Sequence, residues 1–159
     1  SWTPTRQPPR LGRQSTAFFL CDVQEKFRTV MPHIPHLALS CSTLLKGAAC
    51  LELPVIVTEQ YPRGLGHTLE ELDISKATVL EKTTFSMYTA EVRTQLQQLG
   101  LDLLKSDFKS RSRIVLFGLE THVCVQQTAL DLLAEGYEVV LVADAVASQR
   151  HSDRAVALT

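Results

Sequence analysis

Five short runs of aliphatic, aromatic and β-branched residues alternate along this chain with longer segments in which apolar residues return every three or four positions. That alternation fixes α/β order, and strands with almost no polar face imply a parallel sheet covered by helices on both sides. Ala17 to Cys21 is the first run. Leu37, Cys41, Leu44, Leu45 and Ala48 then mark a helix that ends before Pro54, and Pro54 to Thr58 form the second strand. Pro62, Gly64 and Gly66 make Tyr61 to His67 a loop, and Thr78 to Leu80 reads as a short third strand. Val92, Leu96 and Leu99 mark another helix, Ile114 to Phe117 a fourth strand, and Val125 to Glu135 a helix stopped by Gly136. Val139 to Val142 is the fifth strand, and a further helix begins at Ser148. The predicted architecture is a three-layer αβα, doubly wound (Rossmann-like) parallel sheet of order 3-2-1-4-5. Such sheets usually continue to a sixth strand, which is apparently missing here. The domain, residues 16–159, is therefore expected to be incomplete at its C-terminus, with the outer side of strand five open to a partner.

With 159 residues, 45% of them hydrophobic, the chain is expected to bury one core as one domain. Sixteen basic residues stand against 17 acidic ones, so there is no broad positive field for nucleic acid or an anionic membrane. Apolar stretches the size of Ala17 to Cys21 fall far short of the roughly 20 residues of a spanning helix, and a soluble protein is expected. Ser1 to Gln14 carry three prolines, three arginines and no acid. Residues 1–15 are read as a mobile tail; an organellar transit peptide would also be Arg-rich, but the prolines spoil its amphipathic helix. Cys21, Cys41, Cys50 and Cys124 form neither a CxxC pair nor a Cys/His zinc spacing. With no apolar signal segment, a reducing compartment is expected, cytoplasmic first and mitochondrial or other organellar as the alternative.

In an open parallel sheet, ligands bind beyond the carboxyl ends of the strands, where strand order reverses. The first strand is followed by Asp22, the second by Glu59-Gln60-Tyr61, the third by Lys82, the fourth by Gly118 to Cys124 and the fifth by Asp144. Order 3-2-1-4-5 puts Asp22 and Cys124 side by side. Singly, an Asp after a strand is most often a turn residue, a Lys is solvated and a Cys packs in the core. Their convergence on one sheet edge favours chemistry. Cys21, Cys41 and Cys50 sit inside strand or helix patterns and are expected to be packing residues.

These positions carry a family resemblance. Cys21-Asp22-Val23-Gln24-Glu25-Lys26-Phe27 fits the D-x-Q-x-x-F opening of the isochorismatase-like cysteine hydrolases, and Lys82 with Phe85-Ser86 resembles their K-x-x-x-S segment. Gly118 to Val125 resembles their nucleophile turn, and Asp144-Ala145 completes the order. Thr58 to Gly66 and Glu120 to Cys124 look most similar to the isochorismatase domain-containing proteins of animals. The resemblance implies a catalytic triad of Asp22, Lys82 and Cys124, a cis peptide near Leu119-Glu120, and an oxyanion hole from the amides of Glu120 and Cys124. The residue types suit that role. A thiol attacks only as thiolate, and a helix N-terminus with a neighbouring cation lowers its pKa.

Where nicotinamidase-like relatives carry a D-x-H metal pair after strand two, this chain reads Glu59-Gln60-Tyr61. Tyrosine is not a usual zinc ligand, so no metal and no other cofactor is expected, and nicotinamide is disfavoured as substrate. Tyr61, Phe85 and His122 are candidates to shape the substrate pocket; Gln24 and Phe27 could line it or pack beneath it. A His122–Cys124 dyad is disfavoured because residues two apart do not face each other on a helix. His33, His36 and His67 lie in Pro- or Gly-bearing loops and are expected to be exposed.

The favoured expectation is a metal-independent cysteine hydrolase of a small amide or acyl compound, working through a thioester. Isochorismate is disfavoured, since true isochorismatases of the family carry Asp in place of the nucleophile. The alternative is a non-catalytic member of the same fold that binds a protein partner. A dinucleotide enzyme would need a G-x-G-x-x-G turn, and Cys21 to Lys26 contain no glycine. By the same resemblance a homo-oligomer is expected.

Overall fold

The computed structural model describes residues 11–31, 33–101 and 112–159. β1 (Thr16–Cys21) is buried at every position, which is why it lacks polar alternation. It lies between β2 (Val55–Gln60) and β4 (Arg113–Leu119), with β3 (Thr78–Lys82) outside β2 and β5 (Glu138–Ala147) outside β4. All pairings are parallel, in the order β3-β2-β1-β4-β5. The expected strand order is thus observed. Among the described residues β5 pairs with β4 alone.

The period of two along β1 divides the core into two layers. Phe18 and Leu20 face α1 (Ile34–Cys50), whose Leu37, Cys41, Leu45 and Ala48 form its buried stripe. Ala17, Phe19 and Cys21 point the other way, toward Val92 and Leu96 of α3 (Ala90–Gln98) and Leu132 of α4 (Gln126–Ala134). Two shorter helices, α2 (Pro62–Leu65) and α5 (His151–Ala157), decorate the carboxyl ends of the strands. The Thr89 side chain caps α3 by accepting from the Val92 amide, and Gly136, at φ 97°, ends the helix before β5.

The sequence expectation needs correction at several places. β2 and β3 extend to Gln60 and Lys82, so these residues end strands rather than follow them. β5 continues to Ala147, so Asp144 lies inside the strand and is exposed. A register shift between Leu116 and Gly118 lets β5 pair again with the end of β4, and the Arg154 side chain holds the carbonyls of Ala143 and Val146. Cys50, read as a packing residue, is exposed at the last position of α1. Residues 1–10 of the expected tail lie outside the described residues. Arg13 donates to the Leu51 carbonyl and pairs with Glu52.

Gly118 pairs with Cys21 and lies tight against its backbone. It sits at φ 122°, and a Cβ there would lie 2.2 Å from the Cys21 carbonyl oxygen and 2.7 Å from its nitrogen. Only glycine permits the two strands to run side by side into the loops they carry. Gly118→Ala should therefore lower stability by at least about 2 kcal/mol in urea unfolding. Gly47→Ala, in α1 with no atom within 4 Å of the added methyl, should raise it by about 0.5–1 kcal/mol.

Candidate active site

The carboxyl ends of β1, β2 and β3 converge on one carboxylate. Asp22 follows β1 in a left-handed conformation, φ 49°, and its amide donates to the Thr58 carbonyl. Its Oδ1 accepts from the Thr58 hydroxyl at 2.8 Å, and its Oδ2 accepts from Lys82 Nζ at 2.7 Å. The Lys82 and Asp22 side chains are both only 1% exposed. Lys82 also donates to Gln60 Oε1 at 2.7 Å and to the carbonyls of Thr84 and Phe85 at 2.9 and 3.0 Å. A buried ammonium needs such a set of acceptors, and the Thr83–Phe85 turn supplies part of it.

Cys124 lies in a π-helical turn, Thr121–Val125, entered through a cis peptide between Leu119 and Glu120. The amides of Val123 and Val125 both donate to the Glu120 carbonyl at 3.1 Å. Thr128 fixes the turn from behind. Its hydroxyl donates to the Cys124 carbonyl at 2.6 Å and accepts from the Met87 amide at 2.8 Å, which ties the turn to the segment after Lys82.

Sequence reading missed the part played by Cys21. Its Sγ donates to Asp22 Oδ2 at 3.6 Å, and it lies close enough to Cys124 for the two thiols to influence each other's ionisation. The neighbouring Cys21 thiol is the largest influence on Cys124 and lowers its pKa below the ordinary 9.0; burial and the Asp22 charge oppose it, and the Lys82 charge assists it. Burial, first of all, pushes the Cys21 thiol well above that value, with Cys124 and the Asp22 charge adding to it. The only sequence signal was position: a cysteine ending β1 on the sheet face that also carries Cys124.

The expected pocket residues divide. Gln24 is fully buried, and its amide is committed to the chain itself. Nε2 donates to the carbonyls of Gln60 at 2.9 Å and Gly66 at 2.6 Å, and Oε1 accepts from the Gln60 amide at 2.7 Å. It clamps the β2–α2 corner to the residues after β1. Phe27 is half-buried against the α1-side core. Tyr61, 56% exposed at φ 39°, lies beside a cleft of about 490 Å³ that it shares with Arg63, Lys82, Thr84 and Thr89. The Phe85 ring is 63% exposed while its carbonyl holds Lys82. His122 accepts or donates at Nδ1 to Ser148 Oγ (2.9 Å), and its Nε2 lies 3.7 Å from Glu120 and 3.8 Å from Asp153, so its partners are on the β5–α5 side.

At the position where metal-binding relatives would place a ligand, Glu59 is buried. Burial raises its pKa, but the Thr68 amide, the His67 ring and the Thr68 hydroxyl together hold it below 4.5. His67 is exposed and, by its bond to Glu59, held above 6.5. Among the described residues no three His, Cys, Asp or Glu side chains are grouped to hold a metal ion. No described helix is long and apolar enough to cross a membrane.

A parallel sheet of this order, with such a site over its central strands, is the architecture of the isochorismatase-like hydrolases. Residues 16–159 match the model of the isochorismatase domain, and the chain belongs to that family, whose members are typically hydrolases. It is 44% identical over 154 residues to isochorismatase domain-containing protein 2 of Xenopus laevis, covering 97% of this chain and 71% of the relative. Isochorismatase domain-containing protein 1 of Salmo salar is 46% identical over 145 residues, 91% of this chain and 48% of the relative. The chain thus spans about half the length of that second relative. Among solved structures, the MAR1 ribonuclease from Caenorhabditis elegans superposes with a TM-score of 0.82 at 37% identity, over 94% of this chain and 73% of that one.

The lowered pKa of Cys124 has a direct readout. Its thiolate should form, and iodoacetamide should label it, with a midpoint below pH 9.0, while Cys41, pushed up to about 12 by burial, stays unlabelled through that range. Cys21→Ala removes the largest lowering influence and should move the Cys124 profile to higher pH, measured by peptide mass spectrometry.

Proposed function

We propose that the chain is a metal-independent cysteine hydrolase of small amides or related acyl compounds, with Asp22, Lys82 and Cys124 as its catalytic residues. Residues 16–159 form the hydrolase domain in this reading, and residues 1–15 a tail. One observation supports it: a single buried carboxylate, Asp22, is paired with Lys82 at 2.7 Å, and the charges of both act on the Cys124 thiol.

Asp22 takes the thiol proton and the thiolate attacks the substrate carbonyl. The oxyanion is held by the amides of Glu120 and Cys124, donors of a kind worth about 3 kcal/mol each. Asp22 returns its proton to the leaving amine, which departs and leaves a thioester. The Asp22 carboxylate then activates water, and hydrolysis releases the acid and the thiol. Lys82 keeps Asp22 oriented between steps. Tyr61, Phe85 and His122 bound the acyl site in this scheme, with Gln24 and Phe27 shaping it from beneath. Glu59 is committed to Thr68 and His67, and Tyr61 is no imidazole, so the donor set after β2 favours a metal-free site.

The test is hydrolysis of a panel of small aliphatic and aromatic amides, with hydroxylamine to trap the thioester. Cys124→Ala and Asp22→Asn should each reduce turnover by about 10²-fold or more, with a chelator leaving the wild-type rate unchanged. An RNA oligonucleotide belongs in the same panel because of the name borne by the C. elegans relative. Cleavage of RNA alone would overturn amide hydrolysis. A folded protein that turns over nothing would favour the non-catalytic, protein-binding reading.

A further inference from the structure

The nucleophile has a second thiol beside it that hydrolysis does not use. Cys21 and Cys124 belong to the same buried cluster on the α3/α4 side of the sheet. Cys21 ends β1 directly opposite Gly118, whose missing side chain lets the β4 backbone, and the turn carrying Cys124, close over it. The two thiols are close enough to influence each other's ionisation, and Cys21 Sγ stands 3.6 Å from a carboxylate able to take its proton. Cys41 and Cys50 lie on α1, on the opposite side of the sheet.

We propose that Cys21 is a resolving cysteine, which converts peroxide-oxidised Cys124 into a reversible Cys21–Cys124 disulfide. The inference rests on Cys124 being the reactive thiolate of the preceding section. In the first step the Cys124 thiolate attacks one oxygen of hydrogen peroxide or an alkyl hydroperoxide. The O–O bond breaks, hydroxide or alkoxide leaves, and Cys124 is oxidised to a sulfenic acid while the peroxide is reduced. In the second, Cys21 gives its proton to Asp22 and its sulfur attacks the sulfenic sulfur. The S–S bond forms, the S–OH bond breaks, and the departing hydroxide takes the proton from Asp22 and leaves as water. A small dithiol reverses the product by thiol–disulfide exchange. The disulfide silences the nucleophile and keeps it from the irreversible sulfinic and sulfonic states. The raised pKa of Cys21 keeps it protonated and out of the hydrolytic cycle, and the neighbouring Asp22 supplies the base it needs for the resolving step.

Trypsin places the four cysteines on separate peptides, with Cys21 on Gln14 to Lys26 and Cys124 on Ile114 to Arg150. Wild-type protein would be treated with stoichiometric hydrogen peroxide, alkylated and digested without reductant. The expected product is these two peptides joined, with the loss of two hydrogens, and dithiothreitol should restore iodoacetamide labelling of Cys124. In Cys21→Ala, checked for native circular dichroism, the same dose should leave Cys124 as sulfinic or sulfonic acid that dithiothreitol cannot rescue. Wild-type Cys124 over-oxidised beside a free, alkylatable Cys21 would overturn the resolving role and leave the hydrolase reading standing. A Cys124 that neither alkylates near neutral pH nor oxidises would overturn both.

Discussion

The buried ion pair between Lys82 and Asp22 is the constraint on which the site depends. It reaches from the end of β3, over β2, to the residue after β1, so it forms only when three strands end in register. That register is visible in the pairing of Cys21 with Thr58 and of Gln60 with Lys82. Burying both charges costs several kcal/mol per ion, and Coulomb attraction alone offsets this poorly unless the remaining donors and acceptors are filled. Thr58, Gln60 and the carbonyls of Thr84 and Phe85 fill them. The pair is therefore better understood as fixing one charged carboxylate in place than as a source of net stability.

The loops above the sheet follow from the same constraint. The Tyr61 amide donates to the Lys82 carbonyl, and Gln24 binds Gln60 and Gly66, so the β2–α2 corner is held from both β1 and β3. On the other side, Thr128 couples the Cys124 turn to Met87, five residues beyond Lys82. Each catalytic candidate is thus supported by side chains from an element other than its own. Held in this way, a site keeps its geometry without help from a ligand.

Much of this was legible before any coordinates. Strand order, the two helical layers and the meeting of Asp22 and Lys82 over the sheet follow from apolar runs, their periods and the residues at their ends. The extents of β2, β3 and β5 were not: Glu59 and Gln60 break the hydrophobic pattern of β2 without breaking its ladder, and β5 resumes pairing at Val146 beyond the register shift that spans Asp144. Gln24 was ambiguous because a buried amide and a pocket amide look alike in sequence; only the positions of Gln60 and Gly66 decide. Cys50 failed differently. It falls in a helical apolar pattern, but as the last residue of α1 it is exposed, outside the buried stripe that ends at Ala48.

The thiols show where residue type stops being informative. A helix terminus and Lys82 suffice, on sequence grounds, to make Cys124 acidic, yet the larger influence is a neighbouring thiol that the pattern assigned to the core. The two sulfurs face the same carboxylate and the same ammonium, but their surroundings separate them. Cys21 is wholly enclosed at the end of a central strand, so desolvation dominates and keeps its proton in place. Cys124 sits in a turn and keeps some exposure, so the influence of Cys21 outweighs its desolvation. A protonated thiol beside a more acidic one favours charge on the second, and the pair is asymmetric because one cysteine ends a buried strand while the other lies in a turn.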